Sequence, residues 1–214
     1  MPPAPRIAVV DYGAGNLRSV AKALVRSGLA PELVSDPASV RSAEGVVLPG
    51  VGAFADAARN LRERGLDDAL KEAVARGRPY LGLCLGLQVL FDESNEHGLT
   101  QGFGMMSGRV ERFPDKAESG EPLRVPHIGW NSVCYRGTHP MLERLPEVDC
   151  YYFVHSYRVV PVDPGVSVGF TDYGGEFTAV AARDGMFATQ FHPEKSQTAG
   201  KRVLDAYAAW VAGC

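Results

Sequence analysis

The segment Gly82-Leu83-Cys84-Leu85-Gly86 places a single cysteine between a run of strand length and a run with helical spacing. Residues 78–81 open the predicted strand, and residues 87–93 carry apolar side chains at intervals typical of a helix. Glycines two positions before and two positions after a candidate nucleophile are typical of a nucleophile elbow, a strained strand-to-helix turn that pushes the nucleophile outward. The segment therefore predicts an α/β fold with Cys84 at the tip of such a turn.

Cys84 allows two interpretations at this point. At a helix N-terminus, free N–H groups and the positive end of the helix dipole favour the thiolate, which is the nucleophilic form of cysteine. Cysteine is also among the residue types most often buried, so a small inert side chain in a tight turn fits the segment equally well. The other segments of the chain decide between a nucleophilic and an inert Cys84.

The first half of the chain repeats the strand-helix order that surrounds Cys84. Buried strands are predicted at residues 7–10, 31–34 and 45–48, and helices at residues 17–25, 54–61 and 66–74. This alternation is typical of a parallel sheet covered by helices. Arg18 stands where a dinucleotide-binding fingerprint begun by Gly13-Ala14-Gly15 needs its third glycine, so a plain βα turn or a partner-facing loop is favoured there.

Beyond Asn95 the pattern changes to short β-like runs separated by glycine and proline. The runs lie at residues 108–113, 130–135, 151–154 and 166–170, followed by a predicted hairpin of residues 178–182 and 186–191 and a closing helix at 200–212. Residues 116–121 are charged and contain glycine, which predicts an exposed loop. We therefore expect one domain, residues 1–214, with a mostly parallel central sheet, flanking helices and additional antiparallel strands.

The composition is that of an ordinary globular protein, with 45% hydrophobic and 22% charged residues and a formal net charge of -3. The positive residues are scattered, so no nucleic-acid partner is expected. No run approaches the length of a membrane span, and the apolar residues 7–10 are too few for a signal peptide. The four cysteines are therefore interpreted as reduced thiols in the cytoplasm, and their spacing predicts no metal site.

His192 and Glu194 are the strongest candidates for the groups that activate Cys84. A catalytic cysteine needs a base within hydrogen-bond reach and usually a third group that orients the base. His192 ends a predicted strand, and Glu194 follows after Pro193, close enough to hold the tautomer of the imidazole and to stabilise imidazolium. Taken alone, the sequence His-Pro-Glu is more often a surface turn.

A glycine-containing loop, Gly50-Val51-Gly52, follows the third predicted strand at the edge where α/β sheets bind their ligands. Glycine lets backbone N–H groups turn toward a developing negative charge, which makes this loop a candidate oxyanion site. The simpler interpretation is a glycine-softened connection to the next helix.

Three segments in chain order, 49–52, 82–88 and 192–196, resemble the signature segments of the class I glutamine amidotransferases, whose architecture is flavodoxin-like. The resemblance implies that Cys84 attacks the carboxamide of glutamine, with His192 relaying protons and Glu194 orienting His192. It also implies an oxyanion site made by the N–H of Leu85 and an N–H of the loop Gly50, Val51 and Gly52. The family needs no cofactor and no metal for this reaction.

The same resemblance implies a substrate site. Gln88 is expected to contact the substrate glutamine, and the backbone around Ser156 and Tyr157 to bind the amino and carboxylate groups of that substrate. Without the resemblance, an exposed helix residue is the simpler interpretation of Gln88.

Three further segments, 11–17, 126–131 and 152–157, are similar to those of the glutaminase subunits that pair with a (β/α)8-barrel cyclase in histidine biosynthesis. This similarity implies a heterodimer in which ammonia passes through a channel to the cyclase. The positions that match the interface are Asn16, Trp130, Tyr152 and Lys195. It also implies that glutaminase activity stays low until the cyclase binds its ligand, and residues 50–52 are the candidate switch.

Three alternatives remain open from the sequence. The chain resembles, more distantly, the class I glutaminases that serve anthranilate, aminodeoxychorismate or pyridoxal phosphate synthesis, which share the triad but differ in their partner-facing segments. A cysteine hydrolase of similar fold that acts on peptides or small electrophiles is the second alternative. The third is a non-enzymatic α/β binding module in which Cys84 is inert.

Overall fold

A computed structural model describes residues 3–214, whereas Met1 and Pro2, the first residues of the predicted 1–214 domain, lie outside the described residues. The strands are β1 (Arg6–Val10), β2 (Ala30–Val34), β3 (Gly45–Gly50), β4 (Tyr80–Cys84), β5 (Phe91–Ser94), β6 (Thr100–Gln101), β7 (Met106–Arg112), β8 (His127–Tyr135), β9 (Val148–His155), β10 (Tyr157–Pro161), β11 (Ser167–Asp172), β12 (Glu176–Arg183) and β13 (Met186–Thr189). The helices are α1 (Leu17–Arg26), α2 (Pro37–Ser42), α3 (Phe54–Glu63), α4 (Leu66–Ala75), α5 (Leu85–Gln88) and α6 (Gln197–Ala212).

The strands form one mixed sheet whose central part is parallel. That part has the order β2-β1-β3-β4-β13. Antiparallel pairs continue the sheet from β13 through β12 and β10 to β7, and β5 and β6 form the far edge. A branch of β11, β8 and β9 leaves the sheet at β12. The predicted α/β class, a parallel sheet with flanking helices and additional antiparallel strands, is confirmed.

The central strands are apolar on both faces because helices cover both. Ile7 and Val9 of β1 belong to one core cluster together with buried side chains of α1 and α6. Ala8 and Val10, which point the other way, belong to a second cluster with side chains of α2, α3 and α4. This two-sided burial explains the short continuous apolar runs from which the strands were predicted.

Strand β13 joins the parallel and the antiparallel parts of the sheet. It follows β12 through the hairpin predicted at residues 183–185, where Asp184 adopts φ +48°. On its other side β13 runs parallel to β4, with Thr189 opposite Leu83. The residues that follow β13 therefore emerge beside Cys84 at the same edge of the sheet.

The helix predicted after Cys84 is shorter than its sequence pattern suggested. Residues 87–93 were expected to be helical, but α5 ends at Gln88, and β5 begins at Phe91 and pairs with β7 and β6. Phe91 and Leu90 are fully buried in this arrangement. A short apolar run has the same composition in a buried strand as in a buried helix, so spacing alone did not separate the two.

Helix α2 was not predicted, although its start carries a local signal. The side chain of Asp36 accepts a hydrogen bond from the Ser39 backbone N–H at 2.9 Å, and Pro37 occupies the first helical turn. The helix has only six residues, and Val40 is its buried residue. One buried apolar residue does not produce a helical period, so the spacing of apolar residues did not predict α2.

Helix α6 closes the fold against the parallel strands, as residues 200–212 were expected to do. Its Tyr207 hydroxyl lies 3.1 Å from the backbone carbonyl oxygen of Val46 and 3.1 Å from that of Pro79, at the starts of β3 and β4. Within residues 3–214, no helix is both long enough and apolar enough to cross a membrane.

Candidate active site

Cys84 stands on a strained turn between β4 and α5. Its backbone has φ +54° and ψ -100°, a conformation that residues with a side chain rarely adopt. Such a conformation costs on the order of 1–3 kcal/mol and persists where the surrounding packing imposes it. The side chain is buried but borders a cavity, with 7% of the residue exposed. This geometry is that of the predicted nucleophile elbow.

The two glycines of the elbow are required by close packing. A methyl group on Gly86 would lie 2.0 Å from the carbonyl oxygen of Leu48 in β3, and one on Gly82 would lie 2.5 Å from the carbonyl oxygen of Gly86. Both clashes are with backbone atoms, which cannot rotate away as a side chain can. The turn therefore sits directly over β3, and only glycine allows that approach.

His192 and Glu194 form a buried pair beside the elbow. His192 Nδ1 and Glu194 Oε1 are 2.9 Å apart, and the two side chains are 3% and 4% exposed. Because a carboxylate only accepts hydrogen bonds, Nδ1 carries the proton, and Nε2 makes no hydrogen bond with the described residues. Burial lowers the pKa of His192, but its interactions with Cys84 and with Glu194 outweigh burial and raise that pKa to about 9.

A tight turn brings Glu194 back onto the histidine that precedes it. The segment Pro193–Lys195 is a single 3-10 turn, and the Ser196 hydroxyl donates to the carbonyl oxygen of His192 at 2.7 Å. The same hydroxyl oxygen accepts a hydrogen bond from the backbone N–H of Tyr152 at 2.9 Å. The turn of residues 192–194 is thus hydrogen-bonded to β9, and the side chains of His192 and Glu194 point inward.

The glycine loop after β3 adjoins the elbow. Gly50 lies opposite Cys84 in the parallel register of β3 and β4, and Val51 and Gly52 border the same cavity as Cys84. Gly52 has φ +108°, a conformation that favours glycine. Leu85, the first residue of α5, also borders the cavity. The structure therefore brings together all four residues expected to form the oxyanion site.

A cavity of about 430 Å³ lies in front of the Cys84 sulfur. Its walls come from the glycine loop, the elbow, the loop after β5 and the end of β9. The lining residues are Val51, Gly52, Cys84, Leu85, Gln88, Glu96, Pro126, Val154, His155, Ser156, Tyr157 and Lys195. The three predicted substrate residues, Gln88, Ser156 and Tyr157, are among them. In residues 3–214, no three His, Cys, Asp or Glu side chains are grouped so as to hold a metal ion.

Gln88 is a buried residue of this cavity and not a surface residue of a helix. Its Nε2 donates to the carbonyl oxygen of Tyr157 at 3.1 Å and to Gln190 Oε1 at 3.2 Å. Both partners lie far away in sequence, so the side chain is held in place from the opposite wall of the cavity.

Glu96 is a cavity residue that the sequence did not reveal. Its Oε2 accepts a hydrogen bond of 2.6 Å from the backbone N–H of Phe54, the first residue of α3. It is the one acidic side chain among the lining residues given above. In the sequence Glu96 stands in the polar stretch Ser94–His97, where a charged residue is unremarkable. Only the fold brings it to the cavity.

Gln190 is a second residue near the cavity that no sequence motif identified. Its Nε2 donates to the sulfur of Cys84 at 3.5 Å, and none of its surface is exposed. The signal was present, since an amide side chain interrupts the apolar run that leads to His192. A buried amide needs hydrogen-bond partners, so such an interruption points to a polar site.

Two further histidines form a buried pair at the back of the cavity. His127 in β8 and His155 in β9 face each other across the two strands, with His127 Nδ1 3.0 Å from His155 Nε2. Burial lowers the pKa of His127 to about 4 and that of His155 to about 3. Both rings are therefore neutral at neutral pH and serve as hydrogen-bonding groups.

Three of the four predicted interface residues cluster on the surface beside the cavity. The rings of Trp130 and Tyr152 pack edge to face at 6.2 Å, and the ammonium of Lys195 lies 5.9 Å from the ring centre of Tyr152. Trp130 is 49% exposed, and Ile128, two residues earlier in β8, is exposed as well. Asn16, the fourth residue, is exposed and caps α1, where its side chain accepts from the Ser19 N–H.

Comparison with known proteins gives consistent results. The family model of class-I glutamine amidotransferases matches residues 8–207. The imidazole glycerol phosphate synthase subunit HisH of Geobacillus thermodenitrificans is 49% identical over 97% of this chain and 97% of its own length. The protein of the same name from Aromatoleum aromaticum is 48% identical over 95% and 98%. PurLQS from Thermotoga maritima shares the fold, with a TM-score of 0.74 at 20% identity over 98% of each chain.

The packing of the elbow predicts a large loss of stability for Gly86→Ala. The added methyl group would meet the Leu48 carbonyl oxygen at 2.0 Å, so the turn has to shift. We expect the free energy of unfolding, measured by urea denaturation, to fall by about 3 kcal/mol or more. Gly185→Ala is the matched control, since its nearest neighbours lie at 3.6 Å, and equal stabilities of the two variants would contradict the packing argument.

The buried histidine pair predicts a loss of stability in acid. The pKa of His155 is about 3 in the folded chain and about 6.5 in an unfolded one, so unfolding takes up protons below pH 6.5. The contribution to stability is therefore present above that pH and lost as pH falls toward 3.

We expect His155→Gln to reduce the slope of unfolding free energy against pH by up to about 1.4 kcal/mol per pH unit over this range. The exposed Asn95 offers a control, because Asn95→Gln involves no titratable group and should leave the slope unchanged. An unchanged slope in His155→Gln would mean that His155 is not buried in its neutral form.

Proposed function

This chain belongs to the class-I glutamine amidotransferase family, and we propose that it is the glutaminase subunit of an imidazole glycerol phosphate synthase in histidine biosynthesis. It hydrolyses L-glutamine to L-glutamate and ammonia, and the ammonia is used by a cyclase subunit. The main support for glutaminase activity is the position of Cys84, which lies on its elbow beside the His192–Glu194 pair and faces a cavity of amino-acid size. The near full-length likeness to subunits of that synthase identifies the pathway.

The first half of the reaction releases ammonia. The Cys84 thiolate adds to the side-chain carboxamide carbon of glutamine, and the electron pair of the C=O bond moves to oxygen. His192 Nε2 then gives its proton to the amide nitrogen, the C–N bond breaks, and ammonia leaves from a γ-glutamyl thioester. Glu194 stays hydrogen-bonded to Nδ1 throughout, so that His192 presents the correct nitrogen to the reaction.

The second half of the reaction restores the enzyme. His192 Nε2, now neutral, takes a proton from water, and the oxygen of that water adds to the thioester carbon. The C–S bond breaks, glutamate is released, and Cys84 returns as the thiolate beside protonated His192. Burial lowers the pKa of His192, but the interactions with Cys84 and Glu194 raise that pKa to about 9, so His192 retains the proton that it takes from water.

Both half-reactions place negative charge on the former carbonyl oxygen of glutamine. The N–H of Leu85 and an N–H of the loop Gly50-Val51-Gly52 are the proposed donors to this oxygen, since both segments border the cavity at the sulfur. Losing one such donor costs about 3 kcal/mol, or on the order of a hundredfold in rate. A change in this loop is therefore the proposed means by which a partner controls turnover.

Charged and polar groups of the cavity account for recognition of the substrate backbone. Glu96 lines the cavity and suits the α-ammonium group of glutamine, whereas Lys195 and the backbone of Ser156 and Tyr157 suit its α-carboxylate. Gln88 supplies an amide for the same ligand, next to the reacting end of the cavity. This arrangement selects an α-amino acid with an uncharged amide side chain.

The proposed partner is the cyclase subunit, a (β/α)8 barrel, bound as a heterodimer. Trp130, Tyr152 and Lys195 form its docking surface, together with Asn16 and the exposed Ile128. Aromatic and aliphatic side chains of this kind are common anchors of protein interfaces. Lys195 belongs both to this surface and to the cavity, which puts the partner within reach of the glutaminase site.

Two further parts of the proposal concern the chain as a whole. We propose that residues 1–214 form one glutaminase domain that works without cofactor or metal. The four cysteines are free thiols, as expected for a protein of a reducing compartment, and a cytoplasmic location belongs to the same proposal.

Ammonia release tests this function directly. We expect the chain with its cyclase and the ligand of that cyclase to release ammonia from glutamine much faster than the chain alone. Cys84→Ala should reduce the rate by at least about a thousandfold, because the nucleophile is lost. Cys214→Ala, at an exposed terminal cysteine, should leave the rate unchanged.

The same assay separates the alternatives. Co-purification with a barrel cyclase supports the proposed synthase, whereas capture of an anthranilate, aminodeoxychorismate or pyridoxal phosphate synthase would reject it. Labelling of Cys84 by a glutamine-mimicking chloroketone, blocked by glutamine, excludes a general cysteine hydrolase. A thiol that stays unreactive in the ligand-bound complex would reject every catalytic interpretation.

Recognition of the substrate ammonium by Glu96 predicts a selective effect of Glu96→Gln. The variant keeps an oxygen for the Phe54 N–H but loses the negative charge, so KM for glutamine should rise about tenfold or more while kcat changes little. Steady-state kinetics on the complex measures both constants. Glu93→Gln, in β5 and outside the lining, is the control, and an unchanged KM in Glu96→Gln would contradict this role.

A further inference from the structure

Gln190 is a fully buried amide that contacts the reacting sulfur. It follows β13, and its backbone N–H donates to the carbonyl oxygen of Ala179 in β12 at 2.7 Å. On the other side of β13, Thr189 pairs with Leu83 of β4, so Gln190 emerges level with Cys84. Its Nε2 lies 3.5 Å from the Cys84 sulfur. The sheet register therefore fixes the position of this side chain from both sides.

The orientation of the Gln190 amide follows from the carbonyl oxygen of Tyr157. A carbonyl oxygen only accepts hydrogen bonds, so the Gln88 atom 3.1 Å from it is the amide nitrogen. That nitrogen also lies 3.2 Å from the Gln190 amide, whose near atom must then be the oxygen. The nitrogen of Gln190 is left to face the sulfur, and it is a donor in every protonation state of Cys84.

The Tyr157 carbonyl oxygen, at which this series of hydrogen bonds begins, is itself held in place. The carbonyl oxygen of Tyr157 accepts a second hydrogen bond, of 2.8 Å, from His155 Nδ1. Because His155 Nδ1 carries its proton there, Nε2 must accept, and it accepts from Nδ1 of His127 at 3.0 Å. His127 Nε2 in turn lies 3.3 Å from the Asn131 Nδ2 donor. Both lone pairs of the Tyr157 oxygen are thus occupied by buried donors.

We propose that Gln190 is a further residue of the catalytic site, which donates a hydrogen bond to Cys84 Sγ and thereby stabilises the thiolate before attack. The donor is neutral and buried, where a hydrogen bond to a charged acceptor is stronger than in water. It does not compete with His192 for the proton, since an amide neither gives nor takes one. Its role as part of a glutaminase site rests on the proposed function, whereas the contact with the sulfur does not.

The titratable groups around the sulfur are few. His192 stands next to Cys84, and the Tyr12 hydroxyl lies behind Gly50. Burial, followed by the nearby Cys84, raises the pKa of Tyr12, so its hydroxyl stays neutral over the working range. Glu194 acts through His192, and Glu96, His155, Tyr157 and Lys195 are the other titratable residues that line the cavity. Removing the Gln190 donor leaves all of these groups in place.

Alkylation of Cys84 as a function of pH tests the proposal on the full chain. Iodoacetamide reacts with thiolates, and mass spectrometry of the digested protein separates Cys84 from the other three cysteines. In Gln190→Met the donor is lost but the side-chain length is kept. We expect the midpoint of the alkylation rate to move up by about one pH unit, which slows the reaction about tenfold below the midpoint.

A second variant and a control keep the test decisive. Gln190→Leu also removes the donor and should move the midpoint in the same direction, so either variant that folds by circular dichroism is sufficient. Thr189→Val is the control, since Thr189 is equally buried and its hydroxyl donates to the Phe191 carbonyl oxygen, away from the sulfur. An unchanged midpoint in a folded Gln190 variant, or an equal shift in Thr189→Val, would overturn the proposal.

The readout does not depend on glutamine hydrolysis. A shifted alkylation midpoint in a chain that releases no ammonia with its cyclase would support the contact and reject the proposed glutaminase. If the wild type releases ammonia and the alkylation midpoint of Gln190→Met is unchanged, the proposed glutaminase function stands and the role of Gln190 is rejected. The two failures are therefore distinguishable.

Discussion

The pairing of β4 with β3 on one side and with β13 on the other is the constraint on which the site depends. It sets Gly50 opposite Cys84 and Thr189 opposite Leu83, so three distant parts of the chain end at one edge of the sheet. A slip of one residue in either pair would turn the side chains to the opposite face. Gly86 allows the elbow to lie on β3, and Gly82 allows β4 to lie against the Gly86 carbonyl oxygen.

The sequence predicted those site residues whose chemical type lies within a recognisable local backbone pattern. Cys84 between its glycines and the turn at His192 each carry a local pattern, and the structure brings both to one cavity. Glu96 carries no such pattern, since its importance comes from a partner 42 residues away, and the signal at Gln190 is limited to an amide that interrupts an apolar run. The α/β class was equally predictable, whereas the strand at Phe91–Ser94 was not, because its one apolar residue, Phe91, also fits the helical spacing of residues 87–93.

The buried polar groups of this site form series of hydrogen bonds, and each series begins at an atom that can only accept a hydrogen bond. The Tyr157 carbonyl oxygen only accepts, and it therefore sets the direction of every hydrogen bond through Gln88 and Gln190 to the sulfur. The same oxygen sets the tautomers of His155 and His127. Neutral histidines suit this purpose, since a protonated ring would leave one donor facing another. The lowered pKa values of both rings are thus a requirement of the network as well as a result of burial.

His192, the proposed catalytic base, is fixed to β9, the strand that carries Tyr152 and lies beside Trp130. The backbone N–H of His192 donates to the Tyr152 carbonyl oxygen at 3.0 Å, and the Ser196 hydroxyl joins the Tyr152 N–H to the His192 carbonyl oxygen. Tyr152 is in contact with Trp130 and Lys195 on the surface. The turn that carries Cys84 is packed on β3 in the core, where Gly86 lies against the Leu48 carbonyl oxygen. Tyr152 and His192 are therefore joined twice, once directly and once through the Ser196 hydroxyl, and the proposed base is held by the same strand residue that packs against Trp130.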